Sequence, residues 1–370
     1  MAGIEAVPSV MASGTGDGGN RGLIVMLPPN RRGRPLETGA RADGNRGIAG
    51  IVEGFESLGY RVDFADLNRW PWNPLASLHP VFKSIDMVRA LRVLLRRRNA
   101  KAVISYFESG SLVILALRRL LGFKARVVIV DIGVGTQWRV RERILRFCIA
   151  RADAIFTFAR GQADDIVKNY RPDAVVEFLP QQTDTEFHRP DSAKEGDFVL
   201  SVGGDVSRDY ATLMAALAGV PVPMVVRTSL LSEDPSSRPN LSVIREQLGD
   251  RELRDLYQRA KLVVLPLHDT LHPGGITTLL EAFACGKAVV VSDSRGVRDY
   301  LHHEENCLTV PCNDADALRN AVLRLTSDGE LRARLGRNAR AYAERELSQA
   351  VHVKRLAAAI AALPEHPANK

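Results

Sequence analysis

The strongest constraint in this chain is a rhythm: short, unbroken runs of valine, isoleucine and leucine separated by stretches with helical spacing. The runs fall at Leu23–Leu27, Arg61–Ala65, Ala102–Tyr106, Arg126–Val130, Ala154–Phe158 and Val175–Leu179. They recur at Phe198–Val202, Val222–Arg227, Leu241–Arg245, Lys261–Leu265, Ala288–Val291 and Cys307–Val310. A strand with one wet face alternates apolar and polar residues, whereas a continuous apolar run marks a strand covered on both faces. Helices between such strands imply right-handed βαβ units and parallel sheets. A chain of 370 residues exceeds one ordinary core, so two doubly wound α/β domains are expected. Their boundary is expected near Pro180–Gly196, where strand pattern gives way to polar, proline-containing sequence. Ligands of such sheets bind beyond the carboxyl ends of the strands, which places the site in the cleft between the domains.

The most informative stretch is Leu256–Pro311, LYQRAKLVVLPLHDTLHPGGITTLLEAFACGKAVVVSDSRGVRDYLHHEENCLTVP. It reads as strand (Lys261–Leu265), glycine-bearing loop, helix (about Ile276–Ala284), strand (Ala288–Val291), short helix and strand. Pro273-Gly274-Gly275 leads into the helix, so the backbone N–H groups of Gly274, Gly275, Ile276 and Thr277 are offered to an anion, most often a phosphate. Thr277 or Thr278 can add a hydroxyl. Glu281 stands further along the same helix among Leu279, Leu280, Ala282, Phe283 and Ala284. A carboxylate in apolar surroundings needs a partner, and ribose hydroxyls suit one placed just past a phosphate loop. Together these features predict a nucleotide.

Composition narrows the class. The net charge of +7 favours an anionic partner, but the basic residues are spread along the chain and aromatics make up only 6%, which argues against nucleic acid. Four unevenly spaced cysteines give no disulfide framework and no zinc pattern, and no signal peptide or membrane-length apolar run is visible. A cytoplasmic protein is expected. The Gly/Ser-rich residues 1–20 read as a disordered leader.

Three segments in order resemble one family. ACGKAVVVSDSRGVRDYLHHEENCLTVP, preceded by LYQRAKLVVLP, is similar to the donor-binding half of the group 1 (family 4-like) retaining glycosyltransferases, which have the GT-B fold. FVLSVGGDVSRDYATLMAAL (Phe198–Leu217) resembles that family's strand, glycine turn, basic residue and helix. VVEFLPQQTDTEFHRP (Val175–Pro190) resembles its interdomain crossing. The resemblance covers the chain from about Val127 onward and implies an N-terminal acceptor-side domain over 21–185, a donor domain over 186–346, and a C-terminal helix and tail over 347–370 that return to the first domain. It implies a nucleotide-diphosphate sugar of UDP or GDP type as donor, a hydroxyl-bearing acceptor (glycan, lipid-linked or small natural product), retention of configuration, and no cofactor or metal.

The resemblance also assigns roles. Arg208, after the Gly203-Gly204 turn, sits where the family places a basic residue on the pyrophosphate, and would neutralise charge on the leaving nucleotide. Where the family usually has a first glutamate near the donor sugar, this chain has Pro273, with His272 or Asp269 as stand-ins. Gly204 replaces a common arginine, with Arg227 as a substitute. The long polar loop Pro28–Asn45, holding Arg31, Arg32, Arg34, Glu37, Arg41, Asp43 and Asn45, borders the acceptor and donor phosphates in the family. Glu108 and Asp131, each just past a strand, are either acceptor contacts or caps and loop acids. Two rivals remain: a non-catalytic nucleotide-sugar-binding protein of this fold, which the Pro273 departure keeps open, and an isomerase or hydrolase acting on the nucleotide sugar.

Several features read as decoys. Asp314-Ala-Asp316 imitates a metal-binding acid pair but opens a helix (Asp316–Leu325), where aspartate is a favoured cap. His302-His303-Glu304-Glu305 reads as an exposed turn, and Ser13–Gly19 as leader rather than phosphate loop. The helix Val81–Arg98 places Val81, Ile85, Val88, Leu91 and Leu95 on one face and Lys83, Arg89, Arg92 and Arg96 on the other. A sheet-covering helix with a solvated basic face is the preferred reading, and peripheral docking on an anionic membrane the alternative.

Overall fold

A computed structural model describes residues 21–27, 47–65, 87–132, 139–191, 196–218, 220–231 and 239–363. The expected leader (1–20), the loop Pro28–Asn45 and the start of the helix expected at Val81 lie outside the described residues. The first half runs β1 (Leu23–Leu27), α1 (Gly47–Ser57), β2 (Arg61–Phe64), α2 (Met87–Arg96), β3 (Ala100–Tyr106), α3 (Glu108–Leu117), β4 (Arg126–Val130), α4 (Arg139–Ile149), β5 (Ala154–Thr157), α5 (Arg160–Tyr170) and β6 (Val175–Phe178). The second half runs β7 (Val199–Val202), α6 (Tyr210–Ala216), β8 (Met224–Arg227), β9 (Leu241–Ile244), α7 (Asp250–Arg259), β10 (Leu262–Leu265), α8 (Ile276–Ala284), β11 (Val289–Ser292), a single 3-10 turn at Arg298–Tyr300, β12 (Leu308–Val310), α9 (Ala315–Ser327), α10 (Gly329–Glu346) and α11 (Gln349–Ala362).

The strands form two parallel sheets of six, ordered β2-β1-β3-β4-β5-β6 and β12-β11-β10-β7-β8-β9. These are the two doubly wound parallel-sheet domains expected from the rhythm of apolar runs, as the resemblance to the GT-B fold also implies. Alternate residues of each run feed different cores. Val128 and Val130 of β4 face a layer holding Ile51 and Phe55 of α1 and Leu356 of α11, while Val127 and Ile129 face Val93, Ile114 and Leu145 of α2, α3 and α4. In β10, Val263 and Leu265 pack with α8, and Leu262 and Val264 with Leu213 of α6 and Leu318 of α9. Each sheet is therefore covered on both faces, which is why its strands read as unbroken apolar runs.

The strand order reverses between β7 and β10, so the loops leaving these neighbours diverge and open a crevice at their carboxyl ends. The chain crosses between the halves twice, and the crossings touch: Thr183 N–H donates to Leu347 O (2.9 Å). His352 Nδ1–H donates to Pro180 O (2.9 Å), since a carbonyl can only accept. α11 then returns to the first sheet, where Gln349 Nε2 donates to Gly47 O (2.8 Å) and Val353 packs so closely on Gly54 that a Cβ there would meet it at 2.9 Å.

Two residues of the 3-10 turn clamp the halves together. The Tyr300 hydroxyl donates to Phe158 O (2.7 Å) and accepts from Gln181 N–H (3.0 Å). Asp299 Oδ2 accepts from Arg160 N–H (2.8 Å) at the start of α5, where Ala159 has no capping side chain of its own. A carboxylate of one half thus serves as the cap of a helix in the other.

The face expected for α2 is corrected. Leu95, expected inward, is 55% exposed, and Arg89, expected on the solvated side, is 3% exposed. The buried positions are Ala90, Val93 and Leu94, whose spacing packs a helix against β-strands and α3 as well as the larger leucines would. The Arg97 guanidinium, just past the end of α2, pairs with Asp63 of β2. Among the described residues, no helix is long and apolar enough to cross a membrane.

Asp299→Ala is expected to leave both sheets intact and to cost about 1 kcal/mol at the clamp. Amide exchange should accelerate from Arg160 through Ala163 of α5 while β10 and β11, the internal reference, stay protected.

Candidate functional site

The crevice is built from the loop after β7 and the loop after β10. Arg208 joins them: Leu267 pairs with it in an isolated antiparallel bridge, and His268 N–H donates to Ser207 O (2.9 Å). Its side chain turns under the glycine loops and is 6% exposed. Nε donates to Val202 O (3.1 Å), Nη2 to Thr278 Oγ1 (3.1 Å), and Nη1 lies 3.0 Å from Asp205 Oδ2. That last contact is an ion pair without hydrogen-bond alignment, so Nη1 still has an unused donor direction. A buried guanidinium needs compensation of this kind, because an unpaired buried charge costs several kcal/mol.

The packing explains the glycines. Gly203 has φ +149, and a Cβ there would lie 1.9 Å from Arg208 Nε. Gly275 has φ +86, and a Cβ would lie 2.7 Å from Arg208 Nη1. Both positions combine left-handed backbone with a guanidinium against the Cα, so no other residue fits. Gly204, by contrast, is exposed, and its added Cβ would meet only Ser229 Oγ at 3.4 Å.

Gly275 caps α8, whose first turn faces the crevice. Of the N–H groups expected to meet an anion, Gly274 donates to His272 O (2.7 Å) and Ile276 to Pro273 O (3.3 Å), while Gly275 and Thr277 take no backbone partner. The threonines divide. Thr278 is buried and holds Arg208, whereas Thr277 is exposed and its hydroxyl accepts from Gln181 Nε2 of the crossing (3.3 Å). His272 is exposed at the loop apex. Asp269, the other stand-in, is tied to Arg295 through its backbone N–H (3.0 Å) and Nε, which holds the carboxyl below its usual range. Arg227 ends β8, where its Nε donates to Glu246 O (3.3 Å).

Glu281 lies beyond Thr278 on α8, its side chain 12% exposed. Burial pushes its carboxyl up to about 7. The His188 Nε2 is 3.8 Å away, and the Tyr257 phenol stands beside the carboxyl without hydrogen-bond alignment. Burial in turn drives the Tyr257 hydroxyl well above its ordinary range and lowers His188 to about 4.

In the first half, Asp131 follows β4 with φ 58 and is 7% exposed, and Glu108 is the first residue of α3. The arginines and acids of Pro28–Asn45 lie outside the described residues. The decoys resolve as structure: Asp314 caps α9 by accepting from Ala317 N–H (2.9 Å), Glu304 pairs with Arg324, and His303 Nδ1 accepts from Thr309 N–H (3.0 Å). Gln181 reaches Thr277, the buried His188 and Tyr257 lie beside Glu281, and Tyr300 is buried at the clamp, although no sequence pattern singles them out; each sits in a stretch that reads as crossing, core or turn.

Residues 213–342 match the family model of glycosyl transferases group 1. D-inositol 3-phosphate glycosyltransferase of Saccharomonospora viridis is 28% identical over 231 residues, covering 53% of this chain and 53% of that protein. Alpha-maltose-1-phosphate synthase of Mycolicibacterium smegmatis is 27% identical over 233 residues, covering 53% of this chain and 59% of that protein. The match thus spans about half the length of these curated relatives. Sucrose-phosphate synthase of Thermosynechococcus elongatus superposes with a TM-score of 0.72 at 16% identity, over 92% of this chain and 98% of that one. Anabaena Alr3699/HepE in complex with UDP and glucose gives 0.65 at 13% identity, over 92% and 99%. Likenesses at such identity establish the fold.

Gly275→Ala is expected to destabilise the protein by about 1–3 kcal/mol, from left-handed strain and displacement of Arg208. Gly204→Ala should stay within about 0.5 kcal/mol of the parent, since its Cβ would meet only Ser229 Oγ, at ordinary contact distance. Paired thermal-unfolding curves read the contrast.

Proposed function

With residues 213–342 belonging to the group 1 glycosyltransferases, we propose that this protein moves a sugar from a nucleoside-diphosphate sugar to a hydroxyl-bearing acceptor, with retention and without a resident metal. The observation that carries the reading is the convergence at the β7/β10 reversal of a buried arginine, a glycine-led helix N-terminus and a buried carboxyl on that helix. Such a set matches a diphosphate and a ribose in sequence along α8.

The diphosphate lies over Gly275 and Thr277, taking their N–H groups, and Nη1 of Arg208 turns its unused donor direction from Asp205 toward it. Glu281 accepts from the ribose hydroxyls. The donor's bond from anomeric carbon to phosphate oxygen breaks, and the acceptor oxygen attacks from the same face. The acceptor's proton passes to the departing phosphate oxygen, so no protein nucleophile is needed. Charge grows on the diphosphate as the bond breaks, and Arg208 with the α8 amides stabilises that growth more than it does the bound donor. His272, exposed at the loop apex while Asp269 is held by Arg295, contacts the donor sugar where the family's usual glutamate is replaced by Pro273. The Anabaena neighbour was solved with UDP, which supports a UDP-type donor here, with GDP the alternative. The acceptor enters from the first domain, past Asp131.

The surface of α2 supports a membrane-bound acceptor or product. Met87 and Leu95 are each 55% exposed, beside exposed Arg92, Arg96 and Arg98. This face suits the boundary of an anionic bilayer.

Thermal-shift titration against UDP, GDP, ADP, TDP and their sugar conjugates tests the reading. One nucleotide family should stabilise the protein, by about 2.7 kcal/mol at a hundredfold excess over Kd. Glu281→Ala should lose that response and still unfold cooperatively; retained affinity in the variant would sink the site assignment, and binding without turnover would favour the non-catalytic rival. In a separate flotation assay, wild-type protein should rise with phosphatidylglycerol vesicles, and Leu95→Glu with Arg96→Glu should remain at the bottom.

A further inference from the structure

His188 belongs to no helix or strand, yet it is 2% exposed. Its Nε2 faces Glu281 Oε1 at 3.8 Å, and its Nδ1 is buried without a partner. A buried lone pair left over is tolerated better than a buried N–H, so the ring hydrogen belongs on Nε2, toward the carboxyl. The ring is held in place from every side. His188 N–H donates to Asp184 O (2.9 Å), Asp184 Oδ1 accepts from the N–H groups of Glu186 and Phe187 (3.1 Å each), and Arg340 Nη1 donates to His188 O (2.7 Å). The Phe187 ring meets the imidazole edge to face at 4.9 Å.

Other charged and titratable groups bear on the pair from each neighbouring element. Tyr257, Asp250 and Arg254 come from α7, and Asp184 from the crossing. Cys285 and Lys287 follow Glu281 along the chain, and Arg340 reaches in from α10. With Glu281 pushed up to about 7 and His188 lowered to about 4 by burial, the imidazole is neutral at pH 7 and the carboxyl is divided between its two forms.

We propose that His188 is the positioning residue of Glu281: its Nε2–H, 3.8 Å from Oε1 and so a dipole contact rather than a hydrogen bond, faces the carboxyl and favours the ionised form that accepts from a ribose diol. The proposal rests on the reading of Glu281 as the ribose ligand. It makes nucleotide binding proton-linked. Ribose hydroxyls need acceptors, so binding selects the carboxylate, and the proton of any carboxyl form leaves to bulk water. Affinity is then full above neutrality and falls about tenfold for each pH unit below it. Because His188 lies in the crossing that joins the two halves, the same contact ties the donor carboxylate to the hinge.

The test follows the Glu281 carboxyl carbon itself by NMR through a pH titration without ligand, its resonance identified by loss in Glu281→Gln. Wild type should titrate near neutrality. His188→Phe should titrate at higher pH by about one unit, and His188→Gln, whose amide N–H can replace Nε2–H, should return toward wild type. His188→Met serves the same purpose if phenylalanine is not accommodated. Affinity for UDP and GDP, measured across the same pH range, should follow each protein's own midpoint, with the alkaline plateau changed less than about threefold. A packing role alone would lower the plateau or the melting temperature and leave the midpoint in place, and an unmoved midpoint in His188→Phe overturns the proposal. A midpoint that moves while no nucleoside diphosphate binds at any pH removes the ribose reading, and the proposal with it.

Discussion

A buried guanidinium organises the donor half of this protein. Arg208 has a charge that cannot be left alone under the glycine loops, and its compensation comes from three places: the carbonyl ending β7, the hydroxyl of Thr278 on α8 and the carboxylate of Asp205. Satisfying that one group draws the loop after β7 against the start of α8, closes the crevice floor and excludes a Cβ at both Gly203 and Gly275. The placing of the α8 N-terminus, proposed above to take the diphosphate, is therefore a consequence of how the cation is solvated by the protein. Its neighbours follow: Tyr210 donates to Gly203 O (2.7 Å), and Asp209 caps α6 through Thr212 N–H (3.0 Å).

The two halves are coupled by few but buried polar contacts. Tyr300 is fully buried and its hydroxyl satisfies one backbone group of the first half, Phe158 O, and one of the first crossing, Gln181 N–H. Asp299 completes a helix that its own domain leaves uncapped. Gln181, beside these, reaches Thr277 at the mouth of the donor site. Residues of one crossing segment, Gln181 and His188, thus lie against the first turn and the middle of α8, at the proposed phosphate and ribose positions. Coupling through so short a path needs no long-range network, only the rigidity of a two-and-a-half-turn helix.

The fold was legible because each parallel strand is buried on both faces and must be written in Val, Ile and Leu. All the expected strands appear within a residue or two of their expected bounds, and α8 appears as expected. The glycine turns after β7 and β10 and the place of Glu281 on α8 were legible from the strand–glycine–helix pattern, while Arg208 was singled out by the family resemblance. The face of α2 was not. Its large leucines formed a plausible stripe, but the helix turns on Ala90, Val93 and Leu94, which pack into the core with α3 and the strands brought beside them. His188 and Tyr257 escaped notice for a related reason: a lone histidine in a crossing and a tyrosine among core leucines have no pattern of their own.

The sequence by itself determined the class of fold, the order of its elements and the chemistry of its loops, because local periodicity and glycine placement act over a few residues. Tertiary structure alone decided that Arg208 is roofed over, that Thr277 and Thr278 do different work, and that Glu281 shares its pocket with an imidazole. Those outcomes depend on burial and on partners brought from a distance along the chain, as His188 is to Glu281. Burial sets the charge state of a carboxyl, and no run of neighbouring letters encodes which side chain from another segment will face it.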